Sequence, residues 1–148
     1  MGDVTSFVFR QASTADDPAL RALLQSAGLP FEDVAAERQD FIVAVMQGRV
    51  VGCVALETFQ SVALLRSLAV VESLRGGGIG SALYDRVLVR ARELGLSRLF
   101  LLTTTAAPFF ERRGFRRVER SETPEVVARS SQFATLCPAT ATCLTLSL

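Results

Sequence analysis

Six residues, Arg75-Gly76-Gly77-Gly78-Ile79-Gly80, carry the most readable chemistry of this chain. They follow an apolar run, Leu64 to Val71, and open an amphipathic one, Ile79 to Leu94. Three consecutive glycines, with a fourth one residue later, leave the main chain bare at a strand-to-helix turn. That suits positive φ and a close approach of backbone amides to a ligand. The orphan N–H groups of the following helix point into the turn, where an anion is the natural occupant. A pyrophosphate site is the first reading. A plain surface loop is the alternative, and it leaves unexplained both Arg75 and the apolar-faced segment that resumes at once. Two ionisable residues also stand in apolar surroundings: Glu57 closes the run Val50 to Leu56, and Arg66 lies within Val62 to Val71.

The elements that must position these residues follow from periodicity. Ser6 to Arg10 reads as a short strand with Phe7 and Phe9 on one side. Asp16 or Asp17 caps a helix that accepts Pro18 in its first turn and stops at Gly28. Phe31 to Gln39 reads as a further short helix. Phe41 to Met46 and Val50 to Thr58, joined at Gln47-Gly48-Arg49, form a hairpin rich in β-branched residues. A turn at Phe59 to Ser61 leads into the strand Val62 to Val71. Apolar residues at 79, 83, 87, 88, 91 and 94 give a helical stripe that ends before Gly95. A strand at Arg98 to Leu102, a helix at Ala107 to Arg113 stopped by Gly114, and a strand at Phe115 to Glu119 follow. Pro124 to Arg129 is a last short helix, and Thr142 to Leu148 a last strand. The order predicts a mixed α/β sheet flanked by helices, in one domain spanning residues 1–148.

Bulk properties narrow the class. A chain of 148 residues, 49% apolar and 21% charged, can bury one sizeable core. Sixteen basic residues, all arginine, face fifteen acidic ones, so no global field draws the chain to nucleic acid or membrane. No apolar run is long enough for a membrane span, and no secretory segment is evident, which makes the cytoplasm the expected location. Cys53, Cys137 and Cys143 propose no disulfide framework. Cys137 and Cys143 are soft ligands in principle. Nothing in their spacing around Pro138 defines a geometry, small buried residues are the ordinary reading, and no metal is expected. A homodimer is left open.

The glycine turn fits neither familiar phosphate motif. A P-loop ends in Lys-Ser or Lys-Thr, whereas this turn ends Gly80-Ser81 and the chain has no lysine. A dinucleotide fingerprint lies early in its domain with an acidic residue on a strand about 20 residues on; here the turn is central and Glu93 is near a helix end. Val70 to Gly80 instead resembles the coenzyme A signature of the GNAT superfamily of N-acetyltransferases, with Arg75, Gly78 and Gly80 at the matching positions. Leu101 to Phe115, with its Phe-Glu-x-x-Gly-Phe ending, resembles the second motif of the same superfamily, and the order of elements matches along essentially the whole chain. Leu64 to Val70, Leu101 to Thr105 and Leu136 to Ala141 further resemble the small GNAT proteins of bacterial arsenic-resistance clusters, which are similar to the acetyltransferase domain of N-acetylglutamate synthases.

The resemblance implies acetyl-CoA as co-substrate and a splayed cleft to hold it. Leu68, Ala69 and Val70 would then pair their backbone with the pantetheine arm. Gly76, Gly77, Gly78, Ile79, Gly80 and Ser81 would wrap the pyrophosphate, with Arg75 beside it. Phe109 and Phe110 would mainly close the short helix onto the sheet, with one of them free to line the thioester channel, and Thr103, at a frequent asparagine position, would bond the pantetheine or a water. Many GNAT enzymes carry a tyrosine at the position of Phe110 to protonate the departing thiolate. Phe110 lacks that hydroxyl, and the sole tyrosine, Tyr84, is a poor positional substitute.

Acetyl transfer needs a neutral amine at the thioester carbonyl, a destination for its proton and polarisation of the oxyanion. With no histidine in the chain, Cys-His and Ser-His-Asp machinery is excluded, and direct transfer is the economical mechanism. Glu57 is the first candidate base, because alternation puts it on the face of Val51, Cys53 and Ala55; emergence into solvent is the alternative. Glu72 and Glu111 are weaker. Thr103 is a second candidate catalytic group. Arg66, placed by alternation with Leu68 and Val70, is the candidate for gripping an acceptor carboxylate, with a surface or interface ion pair as the alternative, and Arg129 with Ser130 and Ser131 would complete a polar rim. A small amine, an amino acid or a toxic amino-acid analogue, is the implied acceptor. A protein N-terminal or lysine acetyltransferase and a CoA-binding regulatory module without chemistry are the alternatives.

Overall fold

The computed structural model of the chain describes residues 7–32, 34, 39–130 and 140–148. Strand β1 is Val8–Gln11, and helix α1, Asp17–Ser26, follows a single 3-10 turn. Pro18 occupies its first turn as expected. Asp16 serves the preceding turn, accepting from the Ser13 amide at 2.8 Å and from Arg10 at 2.8 and 3.0 Å. The Arg10 hydrogen bonds, followed by the Ser13 amide, lower its carboxyl to about 2. The expected helix from Phe31 to Gln39 lies largely outside the described residues, and Gln39 itself opens a strand.

The central hairpin forms from β2, Gln39–Met46, and β3, Arg49–Phe59, and continues antiparallel into β4, Val62–Val70. Helix α2, Ile79–Glu93, then crosses over to β5, Arg98–Thr103, which runs parallel to β4. The short helix α3, Ala107–Glu111, is closed by Gly114 at φ +98°, the left-handed cap expected there. The strand expected over Phe115 to Glu119 shrinks to β6, Arg116–Arg117. Helix α4, Glu125–Ala128, and β7, Thr142–Ser147, complete a seven-stranded sheet in the order β1-β2-β3-β4-β5-β7-β6.

Helices cover both faces of the sheet. Ile79, Leu83, Tyr84, Val87 and Ala91 carry the α2 stripe onto one face, against Val54, Leu56, Leu65 and Leu101. Leu20, Leu23 and Leu24 of α1 pack on the other, against Phe41, Val43, Cys53, Ala55 and Ala69. Val127 of α4 covers Phe59, Leu64, Phe100 and Leu102 on a third patch.

Two irregularities break strict alternation. The β2–β3 register slips between Ala44 and Val45, so Val51 packs with the α2 side whereas Cys53 and Ala55 pack with the α1 side. Glu57 therefore does not share a face with Val51, contrary to the alternation argument. In β4, Ser67 takes φ +62°, a conformation uncommon outside glycine, and the β3–β4 register shifts beside it. Leu68 and Val70 consequently pack toward α2, while Arg66 reaches Glu57 instead of standing with them.

Gly52 marks where α2 presses hardest on the sheet. A Cβ there would lie 3.0 Å from Leu83 Cδ1, 3.2 Å from Ile79 Cγ2 and 3.3 Å from the Ala69 carbonyl. Gly52→Val should therefore destabilise the fold by about 1–3 kcal/mol, as overpacking does, measured as a lowered midpoint in urea unfolding. An unchanged midpoint would show that α2 can recede at no cost.

Candidate active site

Strands β4 and β5 pair only at Val62↔Arg98, Ala63↔Leu99 and Leu64↔Phe100. Beyond Leu64 they part. β5 remains paired on its other side with β7 from Arg98 to Thr103, so the gap opens on the β4 side alone and frees the backbone of residues 65–70 along it. A cavity of about 500 Å³ occupies this opening. Its walls are β4 from Leu65 to Val70, the turn at Arg75, Gly76, Ile79 and Gly80, β5 and its following loop from Leu101 to Ala106, Phe109 and Phe110, Ala141, and the end of α1 from Ala27 to Pro30.

The glycine turn takes the shape its composition demands. Gly76 lies at φ +85° and Gly78 at φ +92°, the latter as the left-handed N-cap of α2. The first-turn N–H groups of a 15-residue helix therefore face the cavity mouth, with the positive end of its dipole. Arg75 folds back, its Nε donating to the Val70 carbonyl at 3.0 Å, and so fixes where the strand stops and the turn begins. Ile79 buries its side chain beneath the turn, in the α2 core. Gly77 is exposed beside the wall-lining glycines.

The β5–α3 loop is shaped by Thr103. Its Oγ1 accepts from the Ala106 amide at 2.9 Å and the Thr105 amide at 3.3 Å, leaving its hydrogen to donate. Phe109 and Phe110 stand edge to face with centroids 5.0 Å apart, and Tyr84 packs 6.2 Å from each. Tyr84 is buried off the cavity wall, and burial pushes its phenol above the ordinary value.

Glu57 and Arg66, separate candidates in sequence, form one buried pair: Arg66 Nη1 donates to Glu57 Oε1 at 3.0 Å, with side chains 1% and 9% exposed. Arg66 belongs to the cavity wall and Glu57 does not. Glu72 is exposed, and Glu111 is exposed and paired with Arg117 at 2.9 Å. Arg129, expected on a polar rim, stands 76% exposed on the surface, paired with Glu125 one helical turn away, and is not among the residues lining the cavity. Ser130 is buried, while Ser131 and Cys137 lie outside the described residues. Cys53 is fully buried, donating its thiol to the Ser67 carbonyl at 3.2 Å, and burial pushes it up to about 12. No group of three metal-ligating side chains occurs among the described residues.

One part of the site, and one contact beside it, escaped the sequence. Ala27 to Pro30 close the far end of the cavity, and only their glycine and proline hinted at a shaped loop. Arg113, an unspecified position in the second motif, bridges α2 and α3. Its Nη2 donates to Ser81 Oγ at 2.8 Å, its Nη1 to the Phe109 carbonyl at 2.9 Å, and its guanidinium lies 3.6 Å above the Phe109 ring.

A strand that ends in a glycine turn, a helix aimed at the turn, and a gap in the sheet alongside are together the architecture of a CoA-binding acyltransferase. Residues 37–117 match the family model of the acetyltransferase (GNAT) domain, and the chain belongs to that family of acetyltransferases. It is 34% identical over 113 residues to an uncharacterised N-acetyltransferase of Chlorobaculum tepidum, covering 76% of this chain and 70% of the relative. It is 39% identical over 126 residues to an amino-acid acetyltransferase of Mycobacterium tuberculosis, with the same two coverages. It spans only 29% of the length of an amino-acid acetyltransferase of Neisseria meningitidis, at 33% identity over 78% of this chain. Among solved structures, N-acetylglutamate synthase of Neisseria gonorrhoeae, complexed with coenzyme A and N-acetyl-glutamate, superposes with a TM-score of 0.83 at 27% identity. That match covers 97% of this chain and 35% of the other. Membership of this family and the open gap beside the glycine turn support acetyl-CoA as the co-substrate.

The turn yields a direct test. A Cβ at Gly78 would meet no atom within 4 Å, but a β-branched residue there must adopt φ +92°, which it strongly resists. Gly78→Val should weaken CoA binding at least about tenfold by calorimetry, while circular dichroism remains that of the folded protein. Full affinity in a folded variant would remove the turn from the cofactor site.

Proposed function

We propose that this chain transfers the acetyl group of acetyl-CoA directly to the amine of an amino acid or close amino-acid analogue. The observation that carries the reading is the continuity of the cavity. It runs through the gap between β4 and β5, from the glycine turn on the α2 side to Ala27–Pro30 at the end of α1. A pantetheine arm laid along residues 65–70 would deliver its thioester into the gap, and the α1 end would receive the acceptor. The names borne by the relatives from Mycobacterium and Neisseria support an amino-acid acceptor, as does Arg66 on the cavity wall, held by Glu57. The likeness to arsenic-resistance GNAT proteins supports a toxic analogue within the same class.

In this reading β4 supplies the backbone that fixes the arm, and first-turn amides of α2 hold the pyrophosphate. The Thr103 hydroxyl donates toward the pantetheine or the leaving sulfur. Glu57 acts on Arg66 rather than on the substrate: its Oε1 is engaged by the guanidinium, and it does not reach the wall. Arg66 takes the acceptor carboxylate, and the amine attacks the thioester carbonyl as the neutral base. The collapsing tetrahedral adduct expels the thiolate, and the amine proton passes to solvent.

Two measurements test this. Arg66 and Arg75 are the only ionisable side chains on the wall among the described residues, so no enzyme carboxylate sets the acid limb. The specificity constant should rise with pH through the acceptor's own amine pKa, and the inflection should move when an acceptor of different amine pKa is used. An inflection fixed in the carboxylate range would return the base to Glu57.

Arg66→Lys keeps a cation beside Glu57, avoiding the orphaned buried charge that a neutral residue would leave, but loses the two-pronged fork. The preference for a free amino acid over its carboxamide, as a ratio of kcat/KM, should fall about tenfold. Equal loss on both acceptors would confine Arg66 to holding Glu57.

A further inference from the structure

Arg75 turns its Nε back onto the end of β4, whereas Arg113, just past the end of α3, donates to Ser81 in the first turn of α2. We propose that Arg113 is a phosphate-binding residue for CoA, gripping one of the cofactor's phosphate groups jointly with Ser81. Ser81 is the third residue of α2, next to the wall-lining Gly80, and Phe109, on which Arg113 stacks, lines the same cavity. Arg113 and Ser81 do not themselves line the cavity, but the guanidinium adjoins two positions that do, Gly80 through Ser81 and Phe109 by stacking.

Its partners show what is missing. Arg113 donates to a hydroxyl and to a backbone carbonyl, both neutral, and lies over the rings of Phe109 and Tyr84. Among the described residues no carboxylate pairs with it, unlike Arg10, Arg66, Arg90, Arg117 and Arg129. A half-buried cation held only by neutral groups has its charge uncompensated, and the first turn of α2 beside it is also electropositive. Both favour an anion here. The geometry supplies the donors as well. The two bonds use two of the five N–H groups of the guanidinium. Ser81, accepting from Arg113 through Oγ, keeps its own hydrogen to donate. Stacking on Phe109 holds the fork's plane, which suits two-pronged contact with a phosphate.

CoA offers this chemistry twice, in its pyrophosphate and in its 3′-phosphate, and the test separates them. CoA, 3′-dephospho-CoA and pantetheine are titrated calorimetrically, pantetheine by competition, into the full chain and into Arg113→Met and Arg113→Gln. The glutamine variant retains an amide donor for Ser81 without the charge, and thermal melting checks that each variant folds. Both variants should bind CoA about tenfold to a hundredfold more weakly, with pantetheine, which has no phosphate, unaffected. Equal losses for CoA and 3′-dephospho-CoA assign the contact to the pyrophosphate; a loss confined to CoA assigns it to the 3′-phosphate. Full CoA affinity in a folded Arg113→Gln overturns the proposal. So does a pantetheine loss equal to that of CoA, because Arg113 would then only brace α3 against α2.

Discussion

Everything distinctive in this molecule depends on one sheet interface that stops early. Parallel pairing of β4 with β5 ends at Leu64↔Phe100, and the backbone groups beyond it would be unsatisfied if buried without a partner. A protein that needs only stability would continue the ladder. Here the two strands are each anchored elsewhere, β4 by β3 and β5 by β7 along its full length, so the gap is held open from both sides. The vacated edge can accept an extended ligand as a sheet accepts another strand.

The bulge at Ser67 turns that gap into a site with two unlike ends. Without its positive φ, Arg66 would face α2 together with Leu68 and Val70. Instead the strand changes phase, placing apolar side chains toward α2 and the guanidinium toward Glu57. The cost of a non-glycine residue at φ +62° is of the order of 1–3 kcal/mol. Burying Glu57 with Arg66 is a second expense, since desolvation of an ion pair offsets much of its attraction. Both concentrate where β4 forms the cavity wall at Arg66 and Ser67.

The sequence made the turn and the order of elements legible because glycine clusters and helical periodicity are local signals. Ile79, Leu83, Val87 and Ala91 announce their face without reference to anything distant. The faces of β3 and β4 were misread for the opposite reason. The register slip at Ala44/Val45 and the φ of Ser67 depend on neighbouring strands, and period-two counting has no term for either. Glu57 and Arg66 lie nine residues apart on adjacent strands, so only the hairpin register could reveal them as one pair. Arg113 and Ser81 meet across 32 residues, a contact made by tertiary packing and invisible to any window. Arg129 was assigned to the cavity from its position near the C-terminal region, whereas its helix lies on the surface.

Cys53 extends the logic of the bulge into chemistry of another kind. Its thiol hydrogen is spent on the Ser67 carbonyl, it has no exposure to solvent, and burial holds it protonated far above neutrality. The thiolate that reacts with electrophiles is absent so long as the sulfur stays buried. Alkylation of this sulfur therefore requires the core between α1 and the sheet to open, and its rate becomes an intrinsic clock for that opening.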